Sequence, residues 1–227
     1  MKPQSDILRL APFQAVIFDM DGTILDTESV FRTIVFEVCA ELGFEMTDAV
    51  HRSMVGGSHE RTNQLLVEAY GVTFPYSLFD ERCRFVMGER SMDGVPVKAG
   101  AHEFLNELRE RDIPMAVATS SRHEHAHHHL GKAGLLDMFR TVVTRDDVVN
   151  PKPHPEPYLT AARRLGVDPL TCLALEDSNT GVRAAHAAGM QTIMVPDLVH
   201  PSDEIHGLGV SVIESLNHVR LLAFPKG

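Results

Sequence analysis

Short runs of apolar residues punctuate the chain: AVIF at 15–18, MAVA at 115–118, TVV at 141–143, CLAL at 172–175 and TIMV at 192–195. Runs without polar alternation are the pattern of strands buried on both faces, as in a parallel sheet covered by helices. Between them, AHEFLNELRER places Ala101, Phe104, Leu105 and Leu108 at helical spacing. The alternation predicts an open α/β fold. It lapses from Asp26 to about Asp93, where no strand pattern is found. There Val30, Ile34, Val38 and Leu42 mark one helical face that Gly43 ends, Thr47 and Ser58 are placed to cap the next two helices, and Gly71 to end the second. The organisation expected is therefore a core of residues 1–26 and 94–227 and a helical cap of residues 27–93. A module inserted after the first strand stands over the strand ends where α/β sheets bind ligands, and is placed to act as a lid.

Length and composition narrow the classes of function. The 227 residues suit one large domain, or one domain with a small insert. A net charge of -10 with 23% charged residues offers nucleic acid no electrostatic attraction, so that class of partner is disfavoured and none is expected. No apolar run reaches the roughly 20 residues of a membrane span, and the first residues, MKPQSDILRLAPFQ, lack the apolar core of a secretory signal. A cytoplasmic protein, monomeric or weakly dimeric, is expected. Cys39, Cys83 and Cys172 are odd in number and lie in apolar contexts, which predicts reduced core thiols.

The first apolar run ends in two acids: AVIFDMDGTILDTE places Asp19 and Asp21 one residue apart. Alternation along an extended segment points both to one side, at the carboxyl end of the first strand. A calcium-binding loop is excluded, because Gly22 is fourth and Val30 twelfth where such a loop needs glycine sixth and an acid twelfth. A sugar-nucleotide transferase with a metal-binding Asp-x-Asp is the stronger rival, but it does not require the groups that follow. Those groups come after later apolar runs: Thr119, Ser120 and Ser121 after MAVA, Lys152 in NPKPHPEPY, and Glu176 and Asp177 after CLAL. Singly, each has a plain reading as a helix cap, a solvated lysine or an acid at a helix start. Their joint order at strand ends does not.

With these motifs in place, the chain resembles the haloacid dehalogenase-like hydrolase superfamily, in particular its phosphatases with a small helical cap after the first strand. The resemblance runs from about Phe13 to Pro196. FDMDGTILDTE, IPMAVATSSR and EDSNTGVRAAHAAGMQTIMVPD are also similar to the branch containing pseudouridine-5'-phosphatase and related sugar-phosphate phosphatases. It implies a Rossmann-like parallel sheet core with an inserted α-helical cap, and hydrolysis of a small phosphorylated metabolite. Asp19 would then be the nucleophile that becomes an aspartyl-phosphate. Asp21 would be the general acid and base. Thr119, Lys152 and the main-chain N–H groups near Met20, Asp21 and Ser120 would hold the phosphoryl oxygens. The implied metal ligands are Asp19, the main-chain carbonyl of Asp21, and Asp177, an all-oxygen set that suits Mg2+; Glu176 would hold a metal-bound water from behind. Charge repulsion argues independently for a cation. Two unit charges about 4 Å apart interact by roughly 4 kcal/mol at an effective dielectric near 20, so several carboxylates would expel a phosphate.

Three departures shape the expectation. Pro151 stands before Lys152 where the family usually has glycine, and Pro153 follows, so the lysine loop is either stiffened or displaced. The first cap helix has Phe31 where β-phosphoglucomutases place a histidine, and Gly56 stands where they have a lysine, which counts against a hexose-phosphate mutase. RHEHAHHHLGK groups His123, His125, His127, His128 and His129, with two i,i+4 pairs of the kind that chelate transition metals. The expected reading is a solvated helix; Arg122 at its start lies close enough to Ser120 to reach a substrate phosphate, but an exposed arginine at a helix start is the commoner case. Specificity is expected to reside in the cap, whose turn MVGGSHER (Gly56, Gly57, Ser58, His59, Arg61) either descends onto the core when the lid closes or is a flexible interhelical loop, two readings the sequence supports equally. From another class of function, a non-catalytic phosphate-binding module would keep the same residues without turnover.

Overall fold

Each apolar run forms a strand. The computed structural model describes residues 10–55 and 59–225. β1 (Ala15–Phe18) is followed by α1 (Thr27–Glu41), α2 (Asp48–Met54), α3 (His59–Tyr70) and α4 (Tyr76–Ser91). Helices then alternate with strands: α5 (Ala101–Glu110), β2 (Met115–Ala118), α6 (His123–Lys132), β3 (Thr141–Val143), α7 (Glu156–Leu165), β4 (Cys172–Glu176), α8 (Asn179–Ala187) and β5 (Gln191–Met194). The chain closes with α9 (Asp203–Gly207), β6 (Ser211–Val212) and α10 (Leu216–Ala223). The strands form a sheet in the order β3-β2-β1-β4-β5-β6, every pairing parallel. β6 is a two-residue edge strand with no apolar run to announce it.

Two apolar clusters cover the two faces of the sheet, and alternation along the strands assigns residues between them. Val16, Phe18, Val117, Leu173 and Leu175 belong to the cluster with Phe104, Leu105 and Leu108 of α5. Ala15, Ile17, Ala116, Ala118 and Ala174 belong to the other, with Tyr158, Ala161 and Ala162 of α7 and Ala184 and Ala185 of α8. Alanine on both sides of this second interface lets α7 and α8 lie close to the sheet. After β1 the order runs outward through β2 and β3, then returns to place β4 on the other side of β1. This reversal opens a crevice at the carboxyl ends of β1 and β4.

The helices α1 to α4 pack around their own core of Ile34, Val38, Cys39, Leu66, Phe79 and Cys83. Val30 and Leu42 complete the predicted face at its edges. Thr47 caps α2 by accepting from Val50 N at 3.3 Å, whereas Ser58 lies outside the described residues. The two chain segments joining these helices to the sheet run side by side: Asp26 N donates to Pro96 O and Lys98 N to Ile24 O, both at 2.8 Å. The helical bundle is thereby held over the crevice. Cys39, Cys83 and Cys172 are buried free thiols. Among the described residues, no helix is long and apolar enough to cross a membrane.

Candidate active site

The alternation that builds β1 also aims Asp19. One residue past Phe18, it falls on the α7 side of the sheet, and its N–H continues the ladder to Leu175 O at 2.9 Å. Glu176, one residue past Leu175, has the same phase. Lys152 reaches between the two: its Nζ lies 2.5 Å from Asp19 Oδ1 and 2.5 Å from Glu176 Oε1. The lysine side chain is only 4% exposed, and its ammonium lies 5.1 Å from the centre of the Tyr158 ring. The prolines on either side of Lys152 therefore leave it in place beside Asp19, consistent with a stiffened loop.

Glu176 is fully buried and its acceptor capacity is taken. Oε1 accepts from Lys152 and from Tyr158 Oη at 2.9 Å. Oε2 accepts from Asp177 N and Ser178 N, both at 3.1 Å, and from Ser178 Oγ at 2.9 Å. The first turn of α8 lies directly on this carboxylate, and a Cβ at Gly181 would come within 1.6 Å of Glu176 Oε1. Glycine is needed there for close approach. So Glu176 anchors Lys152 instead of waiting for another ligand.

Asp21 lies beyond the strand, where the chain turns, and its carboxylate goes elsewhere. Its Oδ2 accepts from Ser121 Oγ at 2.8 Å and sits 3.5 Å from Thr119 Oγ1, which itself accepts from Ser121 N at 3.0 Å. The Ser120 side chain is exposed. The N–H groups of Met20, Asp21 and Ser120 donate to no protein acceptor among the described residues. Gly22 turns the chain with φ +80°, and a Cβ there would come within 2.3 Å of Asp177 Oδ2. Thr23, also buried, stands 3.5 Å from Asp177 Oδ1.

Asp19, Glu176 and Asp177 form one buried acidic group. Burial pushes the Asp19 carboxyl well above its usual range; Lys152 opposes the rise, and Glu176, Asp177 and Asp21 add to it. Asp177 is pushed up to about 8, by burial first and then by Glu176. Burial alone would depress the Lys152 ammonium, but Asp19 and Glu176 outweigh it and hold it above its ordinary value. One lysine thus leaves the carboxylates under-compensated. Asp19 and Asp177, hard oxygen donors with capacity to spare, fit a hard divalent cation.

A pH dependence follows. An unfolded aspartate titrates near about 3.9, so between there and about 8 the metal-free folded protein retains a proton on Asp177 that the unfolded chain releases. That contribution to stability is full at low pH and is lost as pH rises through about 8. In chelator, the thermal midpoint should fall from about pH 6 to about pH 8.5, and Asp177→Asn should flatten this fall. Added Mg2+ should raise the midpoint more at the higher pH, since it competes with the proton. A larger magnesium effect at the lower pH would contradict the assignment.

Among the described residues, two cavities lie between the helical bundle and the sheet. One, of about 400 Å³, reaches Asp177 and Ser178 and is lined from above by Val35, His51, Met54 and Phe79. The other, of about 610 Å³, reaches Asp21 and Ser121 and is lined by Ser91, Met92, His125 and His129. Phe31 lines both. His59, from the predicted specificity turn, lines the first cavity and bonds through Nδ1 to Tyr76 Oη at 3.2 Å; Gly56 and Gly57 lie outside the described residues. The histidines do not converge as metal ligands among the described residues. Nor is α6 uniformly solvated. His123 and His125 are exposed, but His129 shares a helical face with Ala126 and Leu130 and is buried with them. Arg122 is exposed and does not line the cavity at Asp21.

The geometry brings Asp19, Asp21, Thr119, Lys152 and Asp177 to one crevice. It gives Ser121, noted in the sequence without a role, the place of Asp21's partner, and adds Tyr158 and the anchoring role of Glu176, which sequence reasoning misses. Tyr158 carries the clearest signal, a phenol at helical spacing from Ala161, Ala162 and Leu165 that needs a buried acceptor.

The chain is 34% identical to the Fructose-1-phosphate phosphatase YqaB of Escherichia coli, over 81% of this chain and 96% of that protein. It is 32% identical to the Phosphorylated carbohydrates phosphatase of Thermotoga maritima, over 79% and 83%. A HAD family hydrolase from Deinococcus radiodurans R1, solved with bound phosphate and sodium, superposes with a TM-score of 0.82 at 29% identity, covering 96% of this chain and all of that one. Residues 16–195 match the family described as haloacid dehalogenase-like hydrolase. The chain belongs to the haloacid dehalogenase-like hydrolase family.

Proposed function

We propose that this protein is a Mg2+-dependent phosphatase that hydrolyses a small phosphomonoester, of sugar-phosphate or nucleotide type, through an aspartyl-phosphate on Asp19, with residues 27–93 as its cap. The observation that carries the proposal is the Lys152 ammonium fixed between Asp19 and Glu176 while Asp21 is held apart by Ser121. The two acids then have different work. Asp19 attacks phosphorus and the bond from phosphorus to the leaving oxygen breaks. Asp21 supplies the proton that oxygen needs, and then takes a proton from the water that attacks the aspartyl-phosphate. Lys152, the Thr119 hydroxyl and the N–H groups of Met20, Asp21 and Ser120 face the phosphoryl oxygens, where negative charge must be held in place. Asp19, Asp177 and the Asp21 main-chain carbonyl would hold Mg2+, whose charge offsets the repulsion between these carboxylates and a phosphate dianion.

A hexose-phosphate mutase needs a proton-transferring group facing the sugar from the cap, and Phe31 has none to give. The relatives named as phosphatases support the same reading, and the free thiols suit a cytoplasmic setting. The test is release of inorganic phosphate from p-nitrophenyl phosphate and a panel of sugar and nucleoside monophosphates near neutral pH. Turnover should require Mg2+, stop with chelator, and be indifferent to a sugar bisphosphate activator. Isomerised sugar phosphate without phosphate release would show a mutase instead, and phosphate binding without turnover a non-catalytic module.

A further inference from the structure

We propose that the outer face of α4 is a self-association surface, on which a second copy of this chain docks antiparallel across a two-fold axis that passes Phe85. The inference concerns the helical bundle and is independent of the phosphatase reading.

The inner face of α4 packs into the bundle core through Phe79 and Cys83. The outer face carries large apolar side chains as well: Leu78, Phe85 and Met92 are 48%, 54% and 63% exposed, and they recur every seventh residue. Met92 follows the last helical residue but keeps right-handed helical backbone, at φ -58° and ψ -36°, so it stays in phase. Positions seven apart on a helix differ by only about 20° around its axis, so the three residues form one stripe about 21 Å long. An exposed apolar residue by itself is ordinary, but a heptad-spaced stripe is the seam of a helix pair. Gly88 lies on the same face one turn after Phe85, and a Cβ there would meet nothing within 4 Å. It leaves a notch beside the stripe.

Symmetry identifies the occupant. In an antiparallel pair centred on Phe85, each residue before Phe85 lies level with the residue equally far after it on the other copy. Phe85 then meets the partner's Phe85 and Leu78 meets the partner's Met92, so the stripe covers itself along its whole length. The charges agree. Arg82 and Glu89 share one flank of the stripe, about 4.5 Å before Phe85 and about 6 Å after it along the axis. A two-fold axis sets that flank against its own copy, which brings Arg82 beside the partner's Glu89 and Glu89 beside the partner's Arg82. On the other flank Glu81 faces the partner's Gly88, so like charges do not meet. Glu89 is exposed and has no ion-pair partner among the described residues. Arg82 is held by Glu41 through Nε at 3.3 Å and Nη2 at 3.1 Å, with its guanidinium 5.5 Å from the centre of the Phe85 ring. Its Nη1 is left for a second carboxylate. A face complementary to its own rotated copy calls for no other protein.

The experiment is sedimentation velocity on the full chain. One helix against one helix is at the small end of stable interfaces, so the wild type should show a reversible dimer with a Kd of about 10–100 μM. Phe85 lines neither cavity, and Phe85→Glu should weaken the dimer by about 30-fold or more while circular dichroism and the thermal midpoint stay those of the wild type. Arg82→Glu and Glu89→Arg, each of which sets like charges against each other across the axis, should each weaken it by about tenfold. A one-to-one mixture of these two variants should associate as well as the wild type, because each chain then offers the other the charge it lacks. A wild type that stays monomeric up to about 500 μM, a dimer indifferent to Phe85→Glu, or a mixture no more dimeric than either charge variant alone would overturn the proposal.

Discussion

Asp19→Asn should abolish phosphate release, by roughly 10⁴-fold or more, without unfolding the protein. The amide has the shape of the carboxyl, and its oxygen can still accept from Lys152, so the buried contact at 2.5 Å survives in kind. It lacks the anionic oxygen that attacks phosphorus. The metal-free variant should be at least as stable as the wild type, because the substitution removes a negative charge that burial, Glu176, Asp177 and Asp21 all disfavour. Steady-state turnover and thermal unfolding, measured on the same preparation, check both halves. Persistent turnover would place the nucleophile elsewhere, and loss of fold would make Asp19 a structural residue.

Lys152→Met should cost both activity and stability. Removing a donor to the phosphoryl oxygens typically costs about 10²–10³ in kcat, and the loss here should reach the upper end because the donor is a full charge. The same change strips Asp19 and Glu176 of the cation between them. Breaking a buried ion pair from one side costs about 3–5 kcal/mol, since the remaining charge has nowhere to go. Glu176 suffers most: it has no exposure, and its other partners are fixed. Adding Glu176→Gln to Lys152→Met should therefore recover part of the stability and none of the activity. Denaturant unfolding of the two single variants and the double variant measures this coupling. Simple additivity would show that Lys152 and Glu176 do not act as a pair.

The strands were legible because interior parallel strands have no polar alternation: AVIF, MAVA and TVV coincide with β1, β2 and β3 residue for residue. β6 was not, because two residues at a sheet edge, Ser211 and Val212, need no apolar run. Within the site, Asp19, Asp21, Lys152 and Asp177 follow from strand ends and order along the chain. Ser121 and Tyr158 depend on contacts across 100 and 18 residues, which no local pattern encodes. The histidine run shows a different limit. Read as a group it suggests a metal site or a wet surface; read by helical phase, with Ala126 and Leu130, it singles out His129 as the buried member.

A chemical trap tests the central claim most directly. The Asp21→Ala variant, mixed with Mg2+ and p-nitrophenyl phosphate, whose leaving group departs without a proton, should complete the first step and stall at the second. Acid quenching followed by peptide mass spectrometry should then find one phosphoryl group on Asp19, and none when Asp19 is also replaced by Asn. Phosphate release at full rate with Asp19 unmodified, or the phosphoryl group on any other residue, would contradict the account.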